Sequence, residues 1–335
     1  MEQVIVIGAG PCGLSAAIEL QRSGFDPLLV EKYNVAHSIY LYPTYLRFFS
    51  TPELLEIGGV PFATPNEKPT RQDALQYYRT VAERSGVRIR NYCEVTSISR
   101  LPEGGFRLGI ESANGNNTPL DTKAVVVATG YFDSPNRLGI PGEDLPKVTH
   151  YYKEAHPYAF TDVAVIGGNN SAVDASLDLM RAGARVTMIY RGTPEKQNIK
   201  PWVRPIFESM VEKGRLRVLY ESQVVRIEPA HIVVRGKDGE TFEIGNDFVL
   251  ALTGFRPDRR MLTDLGVIVD PVTTVPAHDP ETMETNVPNL YIAGVIAAGT
   301  DANEIFIENG RWHGAAIAAH MSAKRRSAGS DAIEK

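Results

Sequence analysis

Two glycine-rich turns in one chain of 335 residues constrain this sequence more than anything else in it. The first lies in VIVIGAGPCGLSAAIEL, from Val4 to Leu20, and the second in VAVIGGNNSAVDASLDL, from Val163 to Leu179. Each reads as an apolar strand, a glycine turn and an apolar pattern of helical period. Such a unit seats a dinucleotide pyrophosphate on the N-terminus of its helix. Two units in one chain predict two dinucleotides, and two adjacent dinucleotides predict electrons passing from one to the other.

In the first turn, Gly8 permits the tight strand-to-helix reversal, Gly10 lets a pyrophosphate approach the backbone, and Gly13 lets the helix lie close on its strand. Pro11 and Cys12 open the helix that follows. Glu31 ends the next apolar run, Leu28-Leu29-Val30, where a carboxylate accepts hydrogen bonds from ribose hydroxyls. The second turn departs from the ideal. Gly167 and Ala172 hold the first and third positions, but Asn169 holds the second, with Gly168, Asn170 and Ser171 around it. Asparagine tolerates positive φ better than most residues, so Gly168 and Asn169 are expected to share the freedom the turn needs. The following strand ends in Arg191 where an NAD site carries an acid. An arginine there suits the 2′-phosphate of NADP, and Lys196 and Lys200 follow on the same loop.

A chain of this length is expected to form two domains. Charged residues make up 22% and the net charge is −5, which argues against nucleic acid or an anionic membrane as the main partner. No signal-peptide pattern and no bilayer-length apolar run is apparent, and two cysteines do not make a disulfide framework, so the expected location is the cytoplasm. No metal-ligand pattern occurs. The expected fold class is α/β, with two Rossmann-like three-layer nucleotide-binding domains, one interrupting the other. Residues 1–133 and 254–323 make the first domain and 134–253 the second. A helix is expected near Asn303 to Ser322, and 324–335 reads as a disordered tail.

Several stretches together resemble the two-dinucleotide-binding flavoprotein reductases, of which thioredoxin reductase is the best known. These are GAGPCG with Glu31, the Ala128-Thr129-Gly130 turn, Gly254-Phe255-Arg256-Pro257-Asp258, and Thr285 to Gly294. Longer segments narrow the match. Ile39-Tyr40-x-Tyr42-Pro43-Thr44, Phe48-Phe49-Ser50, His150 to Tyr158, Ile199-Lys200-Pro201-Trp202 and Asp301 to Gly310 resemble the bacillithiol disulfide reductase family. The resemblance implies FAD in the first unit, held by Gly8, Gly10, Pro11, Cys12, Gly13, Glu31, Lys32, Val95, Ala128, Thr129, Gly130, Gly294, Val295 and Asp301. It implies NADPH in the second, held by Gly167, Gly168, Asn169, Asn170, Ser171, Ala172, Arg191, Lys196 and Lys200. It further implies a homodimer or homotetramer and a small-molecule disulfide as substrate. Val295 stands where the family carries an aspartate for the ribityl chain, and either Asp301 or backbone N–H groups alone would take its place.

Thioredoxin reductases carry a Cys-x-x-Cys pair, and this chain has none; its cysteines are Cys12 and Cys93. Cys12 lies in the first helical turn, where the dipole favours thiolate, and a thiolate there would attack a disulfide. The competing reading is a small residue packed beside the pyrophosphate. Cys93 reads as packing. The aromatic run Tyr40 to Phe49 reads either as a flavin-facing wall or as core. His150 and His156 are candidates to protonate a leaving thiolate. The activity expected is an FAD-dependent, NADPH-oxidising reductase of a low-molecular-weight disulfide. The alternatives are a flavin-containing monooxygenase, a ferredoxin-NADP reductase-like enzyme, or a non-catalytic flavoprotein that senses NADPH.

Overall fold

The computed structural model describes residues 1–300 and 304–330. The chain divides into two compact units. One comprises Met1–Tyr40, Leu46–Ser134 and the chain from Arg256 onward; the other comprises Leu41–Tyr45 and Pro135–Phe255.

The first unit is built on a seven-stranded sheet. Arg88–Arg90, Pro27–Val30 and Glu2–Ile7 run parallel in that order, followed by Asn117–Val127. The far edge of Asn117–Val127 is shared. Its first half pairs antiparallel with Phe106–Ser112, which pairs in turn with Cys93–Arg100, and its last three residues pair parallel with Leu290–Ile292. Val4, Ile5, Val6, Val125 and Val126 are wholly buried, as continuous apolar runs in a sheet covered on both faces must be. The helix Pro11–Arg22 covers one face with Leu14, Ala16, Ala17 and Leu20.

Register places the site. Ile7 stands beside Val30 on one side and Val127 on the other, and Ile292 stands beside Val127. Four parallel strands therefore end at one level, and the turns after them open on one edge of the sheet. Ligands of open α/β sheets bind at such carboxyl ends.

The second unit repeats the plan. Its five-stranded sheet is parallel throughout, in the order Arg217–Leu219, Arg185–Ile189, Asp162–Ile166, Phe248–Ala251, Val148–Thr149. Ile166 stands beside both Ile189 and Ala251. The helix Asn170–Arg181 covers it, and a separate antiparallel sheet joins Gln223–Ile227, His231–Arg235 and Thr241–Gly245. The α/β class of two Rossmann-like units is as expected.

Two local expectations need correction. The single helix expected near Asn303 to Ser322 is two helices, Ile307–Gly310 and His313–Ser330, and Asn303 itself lies outside the described residues. The break at Arg311 has a cause. Its carbonyl accepts from the Ser15 hydroxyl at 2.7 Å, and its guanidinium donates to the carbonyls of Glu53 and Glu56. The second helix then runs on to Ser330, through the segment expected to be a tail from Lys324. Lys324 pairs with Glu284 at 2.8 Å, and Arg325 donates to the carbonyls of Ser23 and Gly24. Only residues 331–335 of that segment lie outside the described residues.

The first helix sits so close to its strand that a Cβ at Gly13 would lie 2.0 Å from the Gly8 carbonyl oxygen. Gly13→Ala is therefore expected to destabilise the protein by at least about 2 kcal/mol, because backbone and not a flexible side chain must move. Denaturant unfolding checks this; an unchanged midpoint would contradict it.

Candidate functional site: two nucleotide cradles

The first cradle is assembled from turns that are remote in sequence. Gly8 has φ +102, and a Cβ on it would meet the Ala128 carbonyl oxygen at 2.5 Å and the Thr129 Cα at 3.3 Å. The glycine turn and the Ala128-Thr129-Gly130 turn are thus in direct contact. Leu14 N–H bonds to the Gly10 carbonyl at 2.9 Å, which starts the helix with Pro11 in its first turn. Around Gly10 the situation reverses. A Cβ there would meet nothing within 4 Å, and its φ of −71 suits any residue. Space is open where a pyrophosphate belongs, so the residues present fit a dinucleotide.

Glu31 is 8% exposed and fastens the cradle. One carboxylate oxygen accepts the Ala9 N–H at 2.7 Å, and the other accepts the Tyr33 N–H at 2.9 Å. Burial pushes its pKa up, and these two backbone donors oppose the rise. A carboxylate has about four lone-pair sites, so two remain for ribose hydroxyls. Lys32 is exposed and paired with Glu94 at 2.9 Å, next to the buried Val95. Gly294 and Val295 begin a short 3-10 turn after the strand Leu290–Ile292. Asp301 lies outside the described residues.

Cys12 does not meet the expectation of a dipole-activated thiolate. Its sulfur is wedged between two glycines: a Cβ at Gly294 would lie 3.0 Å from it, and one at Gly310 would lie 2.9 Å from it. Burial, with the Glu308 carboxylate second, pushes the thiol up to about 12. A helix dipole contributes about 0.3–1 kcal/mol, less than a tenfold change in thiolate fraction, so burial wins. Cys93 begins an edge strand and is partly buried.

Sequence reasoning missed His313. It is the first residue of the last helix, and its Nδ1 accepts the Gly294 N–H at 3.1 Å. Burial, with His278 second, pulls its pKa down to about 4, so it is neutral, with the proton on Nε2. A lone histidine in a helix carries no motif that would have flagged it. Of the two histidines that were flagged, His150 lies against Glu143 at 3.3 Å with both side chains under a tenth exposed, and burial lowers its pKa. His156 is exposed in a short 3-10 turn. The aromatic run is not core: Ile39 is buried, but Tyr40, Tyr45 and Phe49 are exposed.

The second cradle reproduces the first contact. A Cβ at Gly167 would meet the Leu252 carbonyl oxygen at 2.5 Å, as Gly8 meets Ala128, and Ala172 closes the turn at 3.1 Å. The expected sharing of positive φ is overturned. Gly167 alone carries it, at +140, whereas Asn169 is extended at φ −97, ψ −172. Gly168 is required instead by the Tyr190 ring, which a Cβ would approach to 2.2 Å. Asn170 and Ser171 open the helix, with Asn169 as its N-cap. Arg191 and Lys196 are exposed, whereas Lys200 is already paired with Asp174 at 3.0 Å. Among the described residues, no cluster of three or more metal-ligating side chains occurs, and no helix is long and apolar enough to cross a membrane.

Comparison with known proteins places this geometry. Residues 5–294 match the family model described as pyridine nucleotide-disulphide oxidoreductase. The bacilliredoxin reductase Bdr of Bacillus subtilis (strain 168) is 50% identical over 97% of this chain and 99% of its own. The structure of bacillithiol disulfide reductase Bdr from Bacillus cereus superposes with a TM-score of 0.93 at 49% identity, covering 96% of this chain and 99% of that one. Its counterpart from Staphylococcus aureus gives 0.90 at 44% identity, covering 96% and 98%. The chain belongs to the pyridine nucleotide-disulphide oxidoreductase family, and membership implies a flavin and a pyridine nucleotide.

Two outcomes follow for the first cradle. Gly10→Ala should leave the unfolding midpoint of the apoprotein within about 0.5 kcal/mol, yet the purified protein should lose most of its flavin. Retained flavin would show that no pyrophosphate lies there. Cys12 is partly buried, and in the flavin-free protein it should react with iodoacetamide near neutral pH more slowly than a free thiol, because its raised pKa leaves little thiolate. Labelling at the free-thiol rate, read by mass spectrometry, would contradict the raised thiol pKa.

Proposed function

From that family membership, we propose that the chain is an FAD-dependent, NADPH-oxidising disulfide reductase acting on bacillithiol disulfide or a close low-molecular-weight analogue. The observation that carries the proposal is the paired cradle. Two strand–turn–helix units share one contact, first glycine against the carbonyl of a neighbouring strand's end, in a chain half identical to a named disulfide reductase.

The geometry supports the following assignment of residues. Gly8, Gly10, Pro11 and Gly13 with the Pro11–Arg22 N-terminus hold the FAD pyrophosphate. Glu31 takes the ribose, and Lys32, Val95, Ala128 to Gly130, Gly294 and Val295 complete the cradle. The FAD domain takes in 1–133 and the chain from 254 through the helix that ends at Ser330, and the NADPH domain 134–253. In the latter, Gly167 to Ala172 seat the second pyrophosphate and Arg191 with Lys196 reads the 2′-phosphate. Bound flavin supplies two-electron transfer between the reduced nicotinamide and the disulfide. The chain itself supplies position and exclusion of water. His313, neutral, holds the Gly294 N–H in place.

Cys12 is assigned the disulfide-opening step, for which it must become thiolate when substrate and flavin are in place. Its resting thiol sets a condition on that assignment: the proton must leave during turnover. The enzyme is proposed to work in the cytoplasm as a homodimer or homotetramer, without nucleic acid or membrane. A second reading rests on the Bacillus subtilis relative, a bacilliredoxin reductase, which puts a protein-bound disulfide in the same role.

The test is anaerobic reduction by NADPH followed by reoxidation with a panel containing bacillithiol disulfide, glutathione disulfide and a bacilliredoxin mixed disulfide. The flavin released should be FAD. Reoxidation by oxygen alone, with oxygenated product, would instead identify a monooxygenase. Arg191→Ala should weaken NADPH binding by about one to two decades and NADH far less, since a bidentate phosphate contact is worth ~1.5–3 kcal/mol. Cys12→Ala should keep FAD and reduction by NADPH but lose reoxidation by disulfide. Equal losses for the two nucleotides would remove Arg191 from the site, and an unimpaired Cys12→Ala would remove the cysteine from the chemistry.

A further inference from the structure

At the second fingerprint position the second cradle carries a side chain, and that side chain reaches outside the turn. Asn169 occupies the fingerprint position that Gly10 holds in the first cradle, yet its backbone is ordinary extended chain. The turn does not need asparagine for its conformation. Its side-chain oxygen accepts the Asn198 N–H at 3.1 Å, and the oxygen of Asn170 accepts the Lys200 N–H at 2.9 Å. A backbone N–H only donates, so each amide faces the loop with its oxygen. From the loop side, Gln197 is 4% exposed, and its Nε2 donates to the Gly168 carbonyl at 2.9 Å. The Tyr190 hydroxyl donates to the Lys196 carbonyl at 3.1 Å, and Arg204 to that of Gln197 at 2.7 Å.

Three amide side chains therefore lace the segment 197–200 to the turn 168–170. Lys196 immediately precedes that segment, its carbonyl held by Tyr190, and Arg191 lies five residues earlier on the same loop. We propose that Asn169, Asn170 and Gln197 are specificity-positioning residues, which fasten the cationic loop to the pyrophosphate turn so that one nucleotide is read at both its diphosphate and its 2′-phosphate. The inference rests on the reading of this turn as the NADPH site. It makes an unusual demand: restoring the ideal fingerprint with Asn169→Gly impairs discrimination, because it opens the lacing while leaving the turn intact.

The experiment uses the full-length, flavin-loaded protein and two probes, 2′,5′-ADP and 5′-AMP, with binding measured by calorimetry. Wild type is expected to prefer 2′,5′-ADP by about tenfold or more. Asn169→Gly combined with Asn170→Ala should reduce that preference to less than about threefold, by losing more 2′,5′-ADP affinity than 5′-AMP affinity. Gln197→Met keeps the side-chain volume, removes the buried donor from the opposite side, and should act in the same direction; it carries the test if the asparagine variant does not fold. In a double-mutant cycle, Arg191→Ala should cost far less in the unlaced background than in wild type. Preference unchanged in both variants, or additive effects in the cycle, would overturn the proposal. A parallel loss of 5′-AMP binding would overturn it too, since that is the mark of a merely structural role. Wild type with no preference for 2′,5′-ADP would remove the NADPH reading itself, and the inference with it.

Discussion

The structure depends on one close approach, made twice. A first glycine at positive φ ends a buried strand and presses against the carbonyl at the end of the neighbouring strand: Gly8 on Ala128, Gly167 on Leu252, with 2.5 Å left for an added Cβ in each case. That contact holds the turn, the strand end and the helix N-terminus as one block. In the first unit Glu31 adds a buried carboxylate across the back of the turn, tying the end of a second strand to Ala9. At Gly10, between these fixed points, an added Cβ would meet nothing within 4 Å. A preorganised cradle of N–H groups loses little on binding a diphosphate, which is why the turn recurs wherever dinucleotides are held.

The fate of Cys12 shows how packing outranks local electrostatics. The helix N-terminus offers the sulfur a modest preference for charge, but Gly294 and Gly310 close on it from two remote segments, and Glu308 adds an opposing carboxylate. The break between the two last helices belongs to the same cluster, since Gly310 must lie against the sulfur and Ser15 takes the carbonyl of Arg311. A thiol so enclosed is a small packing group at rest. Any redox role requires that substrate or flavin change its surroundings, and this separates the chain from reductases that carry a poised dithiol.

Much of this was legible beforehand because it depends on local rules. Strand–glycine–helix patterns, the acid after the second strand and the α/β class follow from periodicity and turn chemistry. What escaped depends on contacts between distant segments. The charged end of the last helix looked like a tail because Lys324 and Arg325 find Glu284 and Ser23 only once folded. Asn169 was credited with backbone freedom that Gly167 alone supplies, and its true partner is Asn198 on the next loop. His313 carries no sequence signal at all, and Lys200, which the sequence offers to the 2′-phosphate, pairs with Asp174 on a different element.

The central claim is that electrons leave this chain from a flavin without passing through an internal dithiol. An anaerobic reductive titration measures this directly, by counting electrons taken up per flavin before the spectrum is fully bleached. The account predicts two, the capacity of the flavin alone, with full recovery of the oxidised spectrum on adding a disulfide substrate. Uptake of four would contradict it, since it would show Cys12 and Cys93 acting as a redox pair.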